Sequence, residues 1–202
     1  RVLRLAPGTL ITVGDGAGRW RPVRLAAGDQ PAVEIAGDVV ADPRPEPPIT
    51  IAFALVKGDK PELTVQKVTE LGADRIVPFV AERSVVRWDG AKATRHGERL
   101  ATIARQAAMQ SRRTWVPEVA PLATFGEAAR LPGAALADRA GDAPSLVHPT
   151  LLIGPEGGWA TAERAIGLPR VRIARHVLRA ETAAITACAL LASLRDELVP
   201  DR

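Results

Sequence analysis

The chain has 202 residues, 47% hydrophobic and 25% charged, which suits one core or a small and a medium domain and excludes wholesale disorder. No apolar stretch is long enough to span a bilayer as a helix, and no signal-peptide pattern opens the chain; a single cysteine, Cys188, excludes a disulfide framework and a cysteine-based zinc site, so a cytoplasmic protein is expected. The net charge of +4 rests on 23 Arg and 4 Lys, and the scarcity of aromatics (four Trp, three Phe, no Tyr) argues against RNA binding on a platform of aromatic rings.

The chain opens on Arg1 rather than Met, and residues 1–41 read as short strands and turns: Thr9–Val13, a turn at Gly14-Asp15-Gly16, Pro22–Leu25 and Ala32–Ile35. This is a small β domain, expected to be incomplete. The run Asp42-Pro43-Arg44-Pro45-Glu46-Pro47-Pro48 suits neither a helix nor a central strand and is read as a linker. From residue 49 the pattern changes. Ile49–Val56 is a continuous apolar run, as in a strand buried on both faces. Asp59-Lys60-Pro61-Glu62 predicts a helix start with a capping Asp; Val65, Val68 and Leu71 line its face, and Gly72 ends it. Arg75–Val80 is a strand, and Glu98–Gln110 a helix with Leu100, Ile103, Ala104, Ala107 and Ala108 at helical spacing. Ala134–Ala137, Thr150–Ile153 and Arg170–Ile173 are further strands, and Thr182–Leu198 a final helix carrying Ile185, Cys188, Leu191 and Leu194. Strands alternating with helices predict an α/β domain over residues 49–202 with a mostly parallel sheet.

Three segments carry candidate chemistry. The strand Leu151-Leu152-Ile153 runs into Gly154-Pro155-Glu156-Gly157-Gly158-Trp159, where glycines permit positive φ and close approach to a ligand. No Gly-Lys-Ser/Thr follows, so it is not a phosphate P-loop; taken alone it is a ligand loop or a tight turn. The segment Val177-Leu178-Arg179-Ala180-Glu181-Thr182 leads into the last helix, where Glu181 sits near the positive dipole end; alone, it reads best as a capping carboxylate and a solvated Arg. Residues 82–115 hold eight basic and three acidic groups, whereas residues 1–56 and 57–81 are neutral and 116–202 sum to −1, so the excess charge lies around the Glu98–Gln110 helix and points to an anionic partner. His96, His148 and His176 show no metal-ligand spacing; Trp88, Trp115, Trp159 and Cys188 are read as packing residues.

Lys57-Gly58-Asp59, Gln66-Lys67-Val68-Thr69-Glu70-Leu71-Gly72, Glu82-Arg83-Ser84, Gln110-Ser111, Ile153-Gly154-Pro155-Glu156-Gly157-Gly158 and Leu178-Arg179-Ala180-Glu181-Thr182-Ala183 occur in this order and spacing. Together they closely resemble the bacterial 16S rRNA uridine-N3 methyltransferases, the RsmE family of the SPOUT class, over residues 49–198 and more loosely over 1–41. The resemblance implies a SPOUT-type α/β domain with a C-terminal trefoil knot, which general topology rules would not suggest, and an RNA-binding PUA-like β domain before it, here partial. It implies S-adenosylmethionine (AdoMet) as cofactor, a homodimer, 16S rRNA in the assembled small subunit as partner, and neither metal nor membrane.

By resemblance the cofactor pocket takes Leu136 and Ala137 at a strand end, Leu152, Ile153, Gly154, Pro155, Glu156, Gly157 and Gly158, and Ile173, Ala174, Val177, Leu178, Arg179, Ala180 and Thr182. Arg83, Gln110, Arg112 and Arg113 match the family's region for RNA contact or dimer packing, and Arg87 and Arg105 of the same basic segment are expected to contact RNA with them. Ala174 stands where the family often has Gly, and His176 where Arg is common. Uracil N3 is a poor nucleophile until its proton leaves, so a base or a cation for the uracil anion is required. Glu181 and Glu156 are the candidate bases, Glu156 with a competing structural role, and Arg179 the candidate cation. A SPOUT enzyme acting on another RNA and a non-catalytic rRNA-binding assembly factor are the alternatives.

Overall fold

The computed structural model describes residues 5–28 and 32–199; the remaining residues of the expected β domain (1–4, 29–31) and of the expected α/β domain (200–202) lie outside the described residues. The chain begins with β1 (Leu10–Gly14), β2 (Arg19–Leu25), β3 (Val33–Ile35) and β4 (Val40–Ala41). β2 is central and antiparallel to each of the others. The β1–β2 turn is held by Asp15, whose Oδ1 accepts the N–H groups of Ala17 at 2.7 Å and Arg19 at 3.1 Å. This small antiparallel sheet fits a PUA-like domain.

The rest of the chain runs β5 (Thr50–Ala54), α1 (Lys60–Glu70), β6 (Arg75–Val80), α2 (Gly90–Gln110), β7 (Glu118–Val119), β8 (Ala123–Thr124), α3 (Phe125–Ala128), β9 (Ala134–Asp142), β10 (Thr150–Ile153), α4 (Thr161–Arg164), β11 (Arg170–Val171) and α5 (Ala180–Arg195). Its sheet has the order β11-β9-β10-β5-β6-β7, with β8 also on β6, and every pairing is parallel. This is the α/β class that the alternation of elements predicts. β5 is buried throughout. Its Ile51 and Phe53 face a layer built from Val65 and Val68 of α1, Leu100 and Ala104 of α2, and Ala184 and Leu191 of α5. Its Ala52 and Ala54 face the other layer, with Phe79, Leu136, Leu152, Ala128 and Trp159. Side chains alternate across a strand, so small and large residues sort onto different faces.

Several local expectations are corrected. Asp59 precedes α1 but makes no capping bond; Pro61 in the first turn, with its preset φ, marks the start instead. Leu71 is 36% exposed rather than packed. α2 starts at Gly90 rather than Glu98, because its first two turns are polar and carry no apolar periodicity. α5 spans Ala180–Arg195 rather than Thr182–Leu198. Among the described residues, no helix is long and apolar enough to cross a membrane.

The two sheets meet at Trp115. Gly18 N–H donates to Thr114 O at 3.0 Å and Val116 N–H to Gly16 O at 2.9 Å. The Trp115 indole N–H reaches Asp42 O at 3.2 Å and Pro43 O at 3.1 Å, so the proline-rich segment is pinned at its start. At the N-terminal edge of the parallel strands lies a buried ion cluster. Asp74 Oδ2 takes Arg195 Nη1 at 2.6 Å and the Ile49 N–H at 2.9 Å, while Oδ1 faces Arg113 Nη2 at 3.3 Å. Arg113 Nη1 also donates to Thr69 O and Ala73 O, and Arg195 Nη2 to Gly72 O. Burial pulls the Arg113 guanidinium below its ordinary pKa, with Asp74 opposing.

Candidate functional site

The C-terminal ends of β6, β5, β10, β9 and β11 lie side by side, and each leads into a loop on that edge. The order places β11 on the far side of β9 from β10, so the loops after β10 and β11 leave on either side of β9. A change of direction of this kind opens a crevice at strand ends in α/β sheets. It brings together the expected segments Leu136–Ala137, Ile153–Gly158 and Ile173–Thr182.

The loop after β10 is rigid by construction. Gly158 closes a turn at φ +67° and donates to Pro155 O at 2.8 Å. Trp159 is buried, stacks on Phe79 with centroids 6.2 Å apart, and gives its indole N–H to Ala137 O at 3.0 Å, tying this loop to the middle of β9, which runs on to Asp142 past the strand end expected at Leu136–Ala137. Glu163, 4% exposed, accepts the N–H groups of Ala160 and Glu82, both at 2.9 Å, tying the same loop to the end of β6. Arg83 Nη1 donates to Gly157 O at 3.1 Å. The loop after β11 is built differently. Arg172 N–H is bonded to Asp142 O at 2.7 Å, but among the described residues no backbone N–H from Ile173 to Leu178 has a partner. Ala174 and Leu178 are half-buried; Val177, His176 and Arg179 are exposed. Ala180 and Thr182 lie in the first turn of α5, whose leading N–H groups carry the positive end of its dipole.

Three charges, from the first turn of α1, the loop after β10 and the first turn of α5, converge here. Lys60, in the first turn of α1, is hydrogen-bonded to Glu156 and lies 3.9 Å from Glu181 Oε2. Lys60 is the partner that motif reading missed. Its carboxylates lie far along the chain, and only the strand order makes them neighbours. The pair shifts both partners: the hydrogen bond from Lys60 holds the Glu156 carboxyl below the usual carboxylate range, and Glu156 holds the Lys60 ammonium above its own. Glu156 is half-exposed at 54%, whereas the Glu181 side chain is 12% exposed and its Oε2 is buried with no hydrogen-bond partner. Arg179, the residue before α5, lies near enough to act electrostatically on both Lys60 and Glu156.

The expected RNA residues do not form one patch. Arg83 and Arg87 are exposed near the strand-end edge, and Arg105 is exposed on α2. Gln110 lines a groove of about 520 Å³ between α1 and α2, away from the convergence of loops. Arg112 is exposed just past α2, at φ +59°, at the end of a 21-residue helix and thus about 30 Å along from its start. Arg113 is a correction: its side chain is 13% exposed and committed to Asp74 and two carbonyls, so it belongs to the core cluster. Burial pushes the Cys188 thiol up to about 12, consistent with packing. Among the described residues no group of His, Cys, Asp and Glu could hold a metal ion.

A family model described as an RNA methyltransferase domain matches residues 43–192. The ribosomal RNA small subunit methyltransferase E of Mycobacterium tuberculosis is 34% identical, covering 92% of this chain and 79% of its own length. That of Synechocystis is 32% identical, covering 96% and 69%. The crystal structure of the Neisseria gonorrhoeae protein of the same name, bound to S-adenosyl methionine, superposes with a TM-score of 0.79 at 32% identity, covering 95% of this chain and 86% of that one. With sequence, domain model and fold in agreement, the chain belongs to the ribosomal RNA small subunit methyltransferase E family of RNA methyltransferases.

Proposed function

We propose that this protein transfers the methyl group of AdoMet to N3 of a specific uridine in 16S rRNA, with Glu181 accepting the N3 proton. Family membership supports methylation of small-subunit ribosomal RNA, and the AdoMet-bound relative supports the cofactor. The observation that carries the reading is Glu181: a buried carboxylate oxygen without a partner, at the point where the cofactor loops and a lysine converge. An unpaired buried acceptor costs free energy and persists where a function needs it.

The residues fit AdoMet. The unpartnered N–H groups of the loop after β11 suit the acceptor nitrogens of an adenine. Leu136, Ala137, Leu152, Ile153, Gly154, Pro155, Gly157 and Gly158 would form one wall, and Ile173, Ala174, Val177, Leu178, Ala180 and Thr182 the other, with the segment closing as a trefoil knot. Bound AdoMet supplies a methyl carbon already activated by its sulfonium, so the reaction calls for no metal.

Glu156 is the poorer proton acceptor, because its ion pair with Lys60 favours the charged, proton-free form. It serves to hold the loop after β10 against α1. Arg179 has no ion-pair partner among the described residues and stands two positions from Glu181, placed to offset charge on a uracil oxygen as the proton leaves. Arg83, Arg87, Arg105 and Arg112, with the small sheet, contact the RNA of the assembled subunit, and the protein acts in the cytoplasm as a homodimer. Calorimetric titration with AdoMet tests the enzymatic reading: saturable binding is expected, and none at millimolar ligand overturns it in favour of a non-catalytic rRNA-binding factor.

A further inference from the structure

Beside the first turn of α1, which carries Lys60, a second cleft opens where the chain enters α2. It encloses about 200 Å³ between Pro61 and Glu62 of α1, Trp88, and Lys92 and His96 of α2. This is below the size usual for a cofactor or drug-sized ligand and suits a single ring system. The Trp88 indole and the His96 imidazole stack in parallel, centroids 4.3 Å apart and planes 9° from parallel. Trp88 packs against the core, while His96 is half-buried and lines the cleft.

The polar groups around this stack are unspent. Trp20, Trp115 and Trp159 each give their indole N–H to an oxygen of the chain. Among the described residues Trp88 does not. Arg99, one face of α2 along from Lys92 and His96, is taken by Glu62 at 2.6 Å, which neutralises the lining carboxylate. Lys92 has no ion-pair partner among the described residues, so the cleft keeps one uncompensated cation. A flat ring face and a lone ammonium match a nucleotide: a base to continue the stack and a phosphate for the lysine.

We propose that this cleft binds one nucleotide of the RNA substrate flanking the target uridine. The proposal rests on the reading above that the substrate is RNA. The first turn of α1 lines the cleft and carries Lys60, beside Glu156 and Glu181, so a strand crossing that turn places one base on His96 and its neighbour at the cofactor loops. The aromatic content that argued against a stacking platform does not exclude a single stacking site.

The test measures affinity for 16S rRNA at several salt concentrations, with AdoMet affinity by calorimetry as control. His96→Ala, at the cleft mouth, should weaken RNA binding about tenfold, and His96→Phe should restore it. Lys92→Gln should lower the salt slope by about one. All three should bind AdoMet as the wild type does. Wild-type RNA affinity and slope in both His96→Ala and Lys92→Gln overturn the proposal. So does an equal loss of AdoMet affinity, which would make the stack a support for α2. A wild-type protein that binds AdoMet but no rRNA instead overturns the underlying functional reading.

Discussion

Two charge clusters sit at opposite edges of the same parallel sheet. At the N-terminal edge, Asp74 is 3% exposed and meets Arg195, Arg113 and the Ile49 N–H, while both guanidinium groups also reach backbone carbonyls. At the C-terminal edge, Lys60 is hydrogen-bonded to Glu156 and lies 3.9 Å from Glu181 Oε2, a buried oxygen that makes no hydrogen bond. The first arrangement is complete, as a buried ion cluster must be if the desolvation of its charges is to be offset. The second leaves a buried carboxylate oxygen without a hydrogen bond, at the edge where the strand-end loops gather. Net charge does not separate the two; the presence of a free acceptor does.

The comparison makes opposite demands on two conservative substitutions. Glu181→Gln should lower the methylation rate by about 10²- to 10⁴-fold, the usual worth of a general base, while changing stability and AdoMet affinity little. Single-turnover assays with unfolding curves separate these effects; an active Glu181→Gln protein would return the base to Glu156. Asp74→Asn should instead cost about 3–5 kcal/mol in urea denaturation, because it leaves the buried Arg113 guanidinium without a counter-charge and Arg195 with only the exposed Asp196. Its rate at temperatures where it stays folded should be near that of the wild type.

Gly18→Ala probes the contact between the two sheets. The added Cβ would lie 2.5 Å from the Trp115 ring, which is held by two hydrogen bonds, and Gly18 has φ +89°. A loss of about 2 kcal/mol is expected, with weaker RNA binding and unchanged AdoMet binding. Arg112→Gly should have a smaller effect of opposite sign on stability. Arg112 has left-handed backbone at φ +59°, so glycine should stabilise by about 1 kcal/mol while RNA affinity falls. If affinity is unchanged, Arg112 is not an RNA contact.

The smallest effect is the pH dependence of the exposed ion pair. Glu156 has a depressed pKa, so its contribution exists above the ordinary carboxylate range and disappears as pH falls through the lowered value. Lys60 has a raised pKa, so its contribution exists below the ordinary ammonium value and is lost only as pH rises through the raised one. Glu156→Gln should therefore remove a small stabilisation that the wild type has at neutral pH and loses in acid, so the two proteins converge at low pH and in high salt.

The buried strands were legible because they are continuous apolar runs: Arg75–Val80 and Thr150–Ile153 match the expected bounds. The two-residue strands β7 and β8 and the one-turn helices α3 and α4 left no trace, since so few residues carry no period. The glycine loop and the Arg-Ala-Glu-Thr segment stand out as motifs, but their partners do not. Lys60 lies 96 positions from Glu156, and Asp74 lies 121 from Arg195. Nor does sequence distinguish Arg112 from Arg113: adjacent and identical, one is exposed and the other is drawn into the core by Asp74.

The central claim, that this edge of the sheet methylates uracil at N3, is tested most directly by supplying AdoMet with a labelled methyl group to unmethylated small ribosomal subunits and identifying the labelled nucleoside by mass spectrometry. Label in 3-methyluridine is expected with the wild-type protein, and its near-absence with Glu181→Gln. Label in a ribose-methylated or ring-carbon-methylated nucleoside, or none, would contradict it.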